Sequence, residues 1–158
     1  MLSSAPLPDL LSPDRVVLDQ NLSSKKSVLE RAAELLSDSE AAADRRDIFE
    51  ALCQRERLGS TGLGCGVAIP HCRVAQNGVA GAFLRLKRPI DFDSPDGSDV
   101  DLFFALAVPS ECNEHHLKLL ASIAELFSDN KRREQLRRVS GYRDLIDRLQ
   151  SASEQQRA

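Results

Sequence analysis

Asp101-Leu102-Phe103-Phe104-Ala105-Leu106-Ala107-Val108 is a nearly unbroken apolar run, and Pro109 closes it. A strand with one face in water alternates polar and apolar residues, so a run without alternation predicts a central strand buried on both faces. A chain that contains such a strand must cover a sheet on two sides. The rest of the sequence supplies the cover.

Arg15-Val16-Val17-Leu18 predicts a first strand. Ser27 with Glu30 three residues on has the form of a capping box, with Ser23 and Ser24 as earlier starts for the same helix; Val28, Leu29, Ala32, Ala33, Leu35 and Leu36 form its apolar face. A second helix is expected from Asp44 to about Leu58, with Ile48, Phe49, Leu52 and Cys53 inward, Arg55 in the last turn and Gly59 just past its end. Val79 to Leu86 predicts another strand. From about Asn113 the spacing of Leu117, Leu120, Ala121, Ala124 and Phe127 describes a helix whose first turn holds His115 and His116. Ser128 and Ser140 are read as caps of two closing helices, the last using Tyr142, Leu145, Ile146 and Leu149. The expected fold is α/β (α+β by some schemes): one domain over residues 9–151, a mixed β-sheet with helices on both faces, and flexible termini at 1–8 and 152–158.

The chain has 158 residues and a formal net charge of −3 with acids and bases interspersed, no tryptophan and one tyrosine. Neither a basic footprint nor stacking aromatics point to nucleic acid. Lys131-Arg132-Arg133 with Arg137-Arg138 reads as a solvated helix face diluted by Asp129, Glu134 and Asp144. There is no signal-peptide pattern and no apolar run near the roughly 18 residues of a membrane span, so a soluble cytoplasmic protein is expected. Cys53, Cys65, Cys72 and Cys112 lack the dense spacing of a secreted scaffold and are expected as thiols.

The segment Gly59-Ser60-Thr61-Gly62-Leu63-Gly64-Cys65-Gly66-Val67-Ala68-Ile69-Pro70-His71 carries the chemistry. Its glycines let the backbone turn and approach another group, and Val67-Ala68-Ile69 predicts a short buried strand that delivers His71 at its end. His115 and His116 likewise follow the buried run ending at Val108. Strand ends collect ligands in open sheets, and imidazole can act there as nucleophile, base or metal ligand. The helix N-terminus beside His115 and His116 favours an anion and disfavours imidazolium, so neutral histidines near an anion are expected. Arg55 offers a planar fork suited to phosphate oxygens. Ser60 and Thr61 serve either as phosphate donors or as turn formers.

Arg55-Glu56, Leu58-Gly59-Ser60-Thr61-Gly62 and Gly66-Val67-Ala68-Ile69-Pro70-His71 together resemble the enzyme IIA family of the bacterial phosphotransferase system (PTS), of the mannitol/fructose type. The Leu-Gly-Ser-Thr-Gly form is most similar to the nitrogen-regulatory branch, enzyme IIA-Ntr. The resemblance runs from about Leu10 to Leu149. It implies the fold of that family, a phosphoryl group accepted by His71 on its Nε2 (tele) nitrogen, Arg55 supporting the phosphate, and His116 as second active-site histidine, with His115 as its substitute. It implies an HPr-like phosphocarrier as donor, no metal or organic cofactor, and regulated targets such as potassium transport proteins or sensor kinases. A sugar-specific IIA passing phosphate to a IIB unit is the alternative within the family. Cys72 stands where the family usually has glycine, and Cys65 where a polar residue is common.

A reading of another class is a zinc protein that uses Cys65, His71, Cys72, Cys112, His115 and His116, although these lack the paired Cys-x2-Cys knuckle of common structural sites. Cys72 and Cys65 are read first as drift at tolerant positions, and second as thiols that an arginine and a helix N-terminus acidify and make prone to oxidation.

Overall fold

β6 (Val100–Pro109) is the strand that the apolar run predicts, and its side chains alternate between two separate cores. Phe103, Ala105 and Ala107 face one core, whereas Leu102, Phe104, Leu106 and Val108 face the other. The computed structural model describes residues 7–39, 41–111 and 114–157, with side chains as far as Ser151.

Around β6 lies a six-stranded mixed sheet. β1 (Val16–Gln20) pairs parallel with β5 (Ala80–Ile90), and β5 pairs antiparallel with β6. β2 (Gly62–Gly64) forms an antiparallel hairpin with β3 (Val67–Ala68), while β3 and β4 (His71–Val74) both run parallel to β6. Ala68 pairs with Phe103 and His71 with Leu106, so β3 and β4 keep one register along β6. Across the gap, the Pro70 carbonyl accepts from the Leu106 amide at 2.9 Å. The two pieces are one strand path, interrupted where Pro70 has no amide hydrogen to give. His71 therefore opens a strand instead of lying beyond one, which corrects the expected strand end.

Helices α1 (Lys25–Leu36) and α2 (Arg45–Arg57) cover the first core, and α3 (Glu114–Phe127), α4 (Asn130–Arg138) and α5 (Tyr142–Arg157) cover the second. Helices thus lie on both faces of a mixed sheet, as expected. Leu7 and Pro8 are buried in a short 3-10 helix (Leu7–Leu10), and α5 runs to Arg157.

Two helix starts differ from the sequence reading, and α1 takes one of the starts left open. Ser24 caps α1: its hydroxyl accepts from the Ser27 amide while the Ser27 hydroxyl accepts from the Ser24 amide. α4 is capped by Asp129, whose carboxylate accepts from the Lys131 amide, and the Ser128 hydroxyl instead donates to Glu125 at the end of α3. At α5 the Gly141 carbonyl accepts the first helical bond from Leu145, and Ser140 gives its amide to Asp144. The start at Asp44 is as expected, with its carboxylate accepting from the Arg46 amide. Asn113 lies outside the described residues.

The glycine-rich segment is tied at several points. Glu56 on α2, 8 % exposed, accepts from the Thr61 amide at 3.2 Å and from the Thr61 hydroxyl, and it pairs with Lys25 at 3.1 Å. The Ser60 hydroxyl donates to the Phe92 carbonyl at 2.7 Å. Further along, the Cys65 amide donates to Asp96, and Arg137 bridges the Cys65 carbonyl to Asp101. Gly66 sits at φ 82°, which favours glycine, and a Cβ there would lie 2.4 Å from the Arg137 guanidinium and displace it. A buried carboxylate that holds a charge partner and two donors is costly to remove. Glu56→Ala should lower unfolding free energy by about 3 kcal/mol and Thr61→Ala by about 1 kcal/mol, read from urea midpoints at constant m-value.

Candidate functional site

Parity along β4 decides what the site contains. Ile69 and Val67 belong to the core under α3–α5, whereas Cys72 and Val74 belong to the core under α1 and α2. Alternation then sends His71 and Arg73 to the α3 side. There they line a cleft of about 720 Å³ with Gln54, Arg55 and Leu58 of the α2 end and with His116, Leu117 and Leu120 of α3. Leu58 is 85 % exposed and Leu117 64 %, so the cleft has an apolar rim.

Within the cleft the His71 ring is held at both nitrogens. Nδ1 lies 2.8 Å from the Ile69 carbonyl oxygen, and the Arg55 Nε donates to Nε2 at 3.3 Å. A carbonyl can only accept, so Nδ1 carries the ring proton and Nε2 presents its lone pair. Arg55 is itself positioned by the end of α2, where its guanidinium donates to the Gly59 carbonyl at 2.8 Å. That contact ties the arginine to the glycine-rich loop.

His116 lies opposite, its ring centroid 5.5 Å from that of His71 with the planes tilted by 54°. His116 is 5 % exposed, while its neighbour His115 is exposed; the 100° turn between consecutive helical residues puts only the former over His71. Both rings of the pair are held neutral. Burial, followed by the charge of His71 and then of Arg73, pushes His116 down to about 4. For His71, burial lowers the pKa, the bond to Ile69 opposes the shift and Arg55 adds to it, with a net displacement downward. The expected neutral histidines are found, but burial is the first cause, ahead of the charges around them.

Ser60 and Thr61 are not in this cleft. Their hydroxyls bond Phe92 and Glu56, so they fasten the loop and do not point at His71, a correction to the reading of them as phosphate donors. Cys72 borders the cleft but offers it no reactive thiol: it packs in the α1–α2 core, is 4 % exposed, and burial pushes its thiol up to about 12. The alternative of an acidified thiol is thereby removed at Cys72. Cys65 is exposed at the hairpin turn with φ 56°, remote from the cleft lining. The proposed zinc ligands are consequently not gathered, since among the described residues no three His, Cys, Asp or Glu side chains converge; Cys112 lies outside those residues. Sequence reasoning missed Arg73. Its signal was available in the two-residue spacing from His71, which puts both on one face once the segment is a strand.

No helix among the described residues is long and apolar enough to cross a membrane. A family model described as "Phosphoenolpyruvate-dependent sugar phosphotransferase system, EIIA 2" matches residues 9–152. A "Nitrogen regulatory protein" of Pseudomonas aeruginosa is 44% identical over 133 residues, covering 83% of this chain and 86% of that protein. The crystal structure of nitrogen regulatory protein IIA-Ntr from Neisseria meningitidis superposes with a TM-score of 0.87 at 42% identity, covering 92% of this chain and 99% of the other. IIA mannitol from Escherichia coli, at 20% identity and a TM-score of 0.75 over 88% of this chain and 98% of its own, shares the fold. With its two-faced sheet, its Gly-rich segment and a match spanning nearly its whole length, the chain belongs to the EIIA type 2 family of the phosphotransferase system.

Proposed function

We propose that this protein is a phosphoryl carrier that accepts phosphate on His71 Nε2 from the phosphohistidine of an HPr-like phosphocarrier, and that its phosphorylation state governs which proteins it binds. The observation that carries the reading is the oriented, neutral His71, with Nδ1 engaged by Ile69 and Nε2 turned to Arg55 and the cleft. The nitrogen-regulatory names of its relatives support a regulatory role over sugar transfer.

In the transfer, the Nε2 lone pair of His71 forms the new bond to phosphorus. The bond from phosphorus to the donor nitrogen breaks, and the donor ring, which carries a proton on its other nitrogen, takes that electron pair and leaves as neutral imidazole. His71 needs no base, because Nδ1 keeps its proton and the Ile69 carbonyl offsets the positive charge that the ring acquires. Arg55 moves from the Nε2 lone pair to the phosphoryl oxygens, a short displacement since both lie within one hydrogen bond of the reacting nitrogen. His116 walls the opposite side, and its low pKa keeps it from adding a repelling charge to His71 before transfer. Phosphoryl transfer is mainly positioning and electrostatics, which is what this set of groups supplies. Replacing the neutral cleft ligand by a group of about −1.5 to −2 charges changes the surface between the Leu58 and Leu117 rims. That change is the regulatory output, with potassium transport proteins and sensor kinases as the kinds of target.

Incubation with phosphoenolpyruvate, the first enzyme of the relay and an HPr-like carrier should place one acid-labile, base-stable phosphate on the wild type and none on His71→Ala, with unchanged circular dichroism. Label retained by the variant would overturn the acceptor. The acceptance rate should hold below pH 6.5, since the lowered pKa keeps His71 unprotonated there, and fall only as the ring takes a proton. Arg55→Ala removes a charge that helps to lower this pKa, so the acid limb of its pH–rate profile should move upward and its plateau should drop about 100-fold. Capture of partners on phosphorylated and unphosphorylated wild type should recover different proteins; recovery of only a sugar-specific IIB unit or permease would reassign the protein to sugar transfer.

A further inference from the structure

Arg73 stands two residues beyond His71 on β4, on the same face, and lines the same cleft. Its Cβ is about 6.6 Å from that of His71 along the strand, within the reach of an arginine side chain to a group carried on His71. Among the cleft-lining residues there are two arginines, Arg55 and Arg73, two histidines and no carboxylate. Both histidines are neutral, so the permanent charge of this lining is two positive guanidinium groups, while the Glu56 carboxylate outside the lining acts on His71 in the opposite sense and ahead of Arg73. A phosphohistidine brings about two negative charges.

Resting on the phosphoryl-carrier reading, we propose that Arg73 is a second phosphate-binding residue, which engages the phosphoryl group on His71 from along β4 while Arg55 engages it from the end of α2. The two arginines reach the site by independent routes. Arg55 depends on a helix end and on Gly59. Arg73 depends on the pairing of β4 with β6, where it lies in register with Val108. Its field already reaches both rings, lowering the pKa of His71 and of His116, so its charge is felt where the phosphate forms. Clamping by two guanidinium groups stabilises the phosphorylated product as well as the transition state, and that gives the residue a thermodynamic signature.

The readout is the equilibrium partition of phosphate between the HPr-like carrier and this protein, measured by 31P NMR on wild type, Arg73→Ala and Arg73→Lys together with the transfer kinetics. Arg73→Ala should shift the partition toward the carrier by about ten-fold and lower kcat more than it raises KM, with the melting temperature unchanged. Arg73→Lys should restore most of the partition. A residue that only docks the carrier cannot move an equilibrium between separated proteins, so an unchanged partition with a raised KM overturns the proposal. A shifted partition that lysine does not restore, with a lowered melting temperature, assigns Arg73 a structural role and overturns it too. Failure of the wild type to take phosphate on His71 would be a different result, since it removes the carrier reading itself.

Discussion

The parallel register of β4 against β6 is the constraint on which the rest of the site depends. By pairing His71 with Leu106 and Cys72 with Ala107, it fixes which side chains of the segment enter the cleft and which enter the core. A slip of one residue would exchange them, placing a buried thiol over α3 and an imidazole under α2. The register is secured because β6 is apolar on both faces: neither of its cores tolerates a shift that would bring a polar residue inward. The interruption at Pro70 fits the same scheme. It leaves the Ile69 carbonyl available to the His71 ring without loosening the pairing that continues on either side.

Electrostatically the cleft brings neutral imidazoles together with permanent cations. Two histidine rings 5.5 Å apart would repel if both were charged, and burial together with Arg55 and Arg73 keeps them from becoming so. The Nε2 lone pair of His71 faces the Arg55 guanidinium at 3.3 Å, a donor too basic to protonate it. An anion entering the cleft meets positive charge, and the Nε2 of His71 there carries no proton.

Much of the fold was legible in the sequence because the decisive patterns were long. The apolar run at 102–108 announces a two-faced strand, and the helical faces of α1, α2 and α3 are periodic over several turns. What was misread was local. Serines at 128 and 140 are plausible caps, yet Asp129 and Gly141 hold those positions, since one residue of displacement decides which amide is left free. For the site, the motif located His71 and Arg55, and the structure sets them 3.3 Å apart. Arg73 and Cys72 were harder: reading Pro70 as the end of a strand hid the alternation that brings the arginine in and turns the cysteine away.

The glycine-rich segment also changes meaning once its bonds are known. Glycines beside a cleft histidine invite comparison with loops whose amides cradle phosphate, yet here the polar groups of the segment are largely committed to the protein itself. Thr61 is bound to Glu56, Ser60 to Phe92, and Cys65 to Asp96 and Arg137. Glu56 adjoins Arg55 in sequence on the last turn of α2, so the carboxylate that fastens the loop and the guanidinium that faces His71 move as one piece. The Gly59 carbonyl closes that piece by accepting from Arg55. The segment therefore contributes to the site through rigidity. It fixes the end of α2 relative to β3 and so to β4, and a guanidinium held on a fixed helix end meets the imidazole without a further ordering cost.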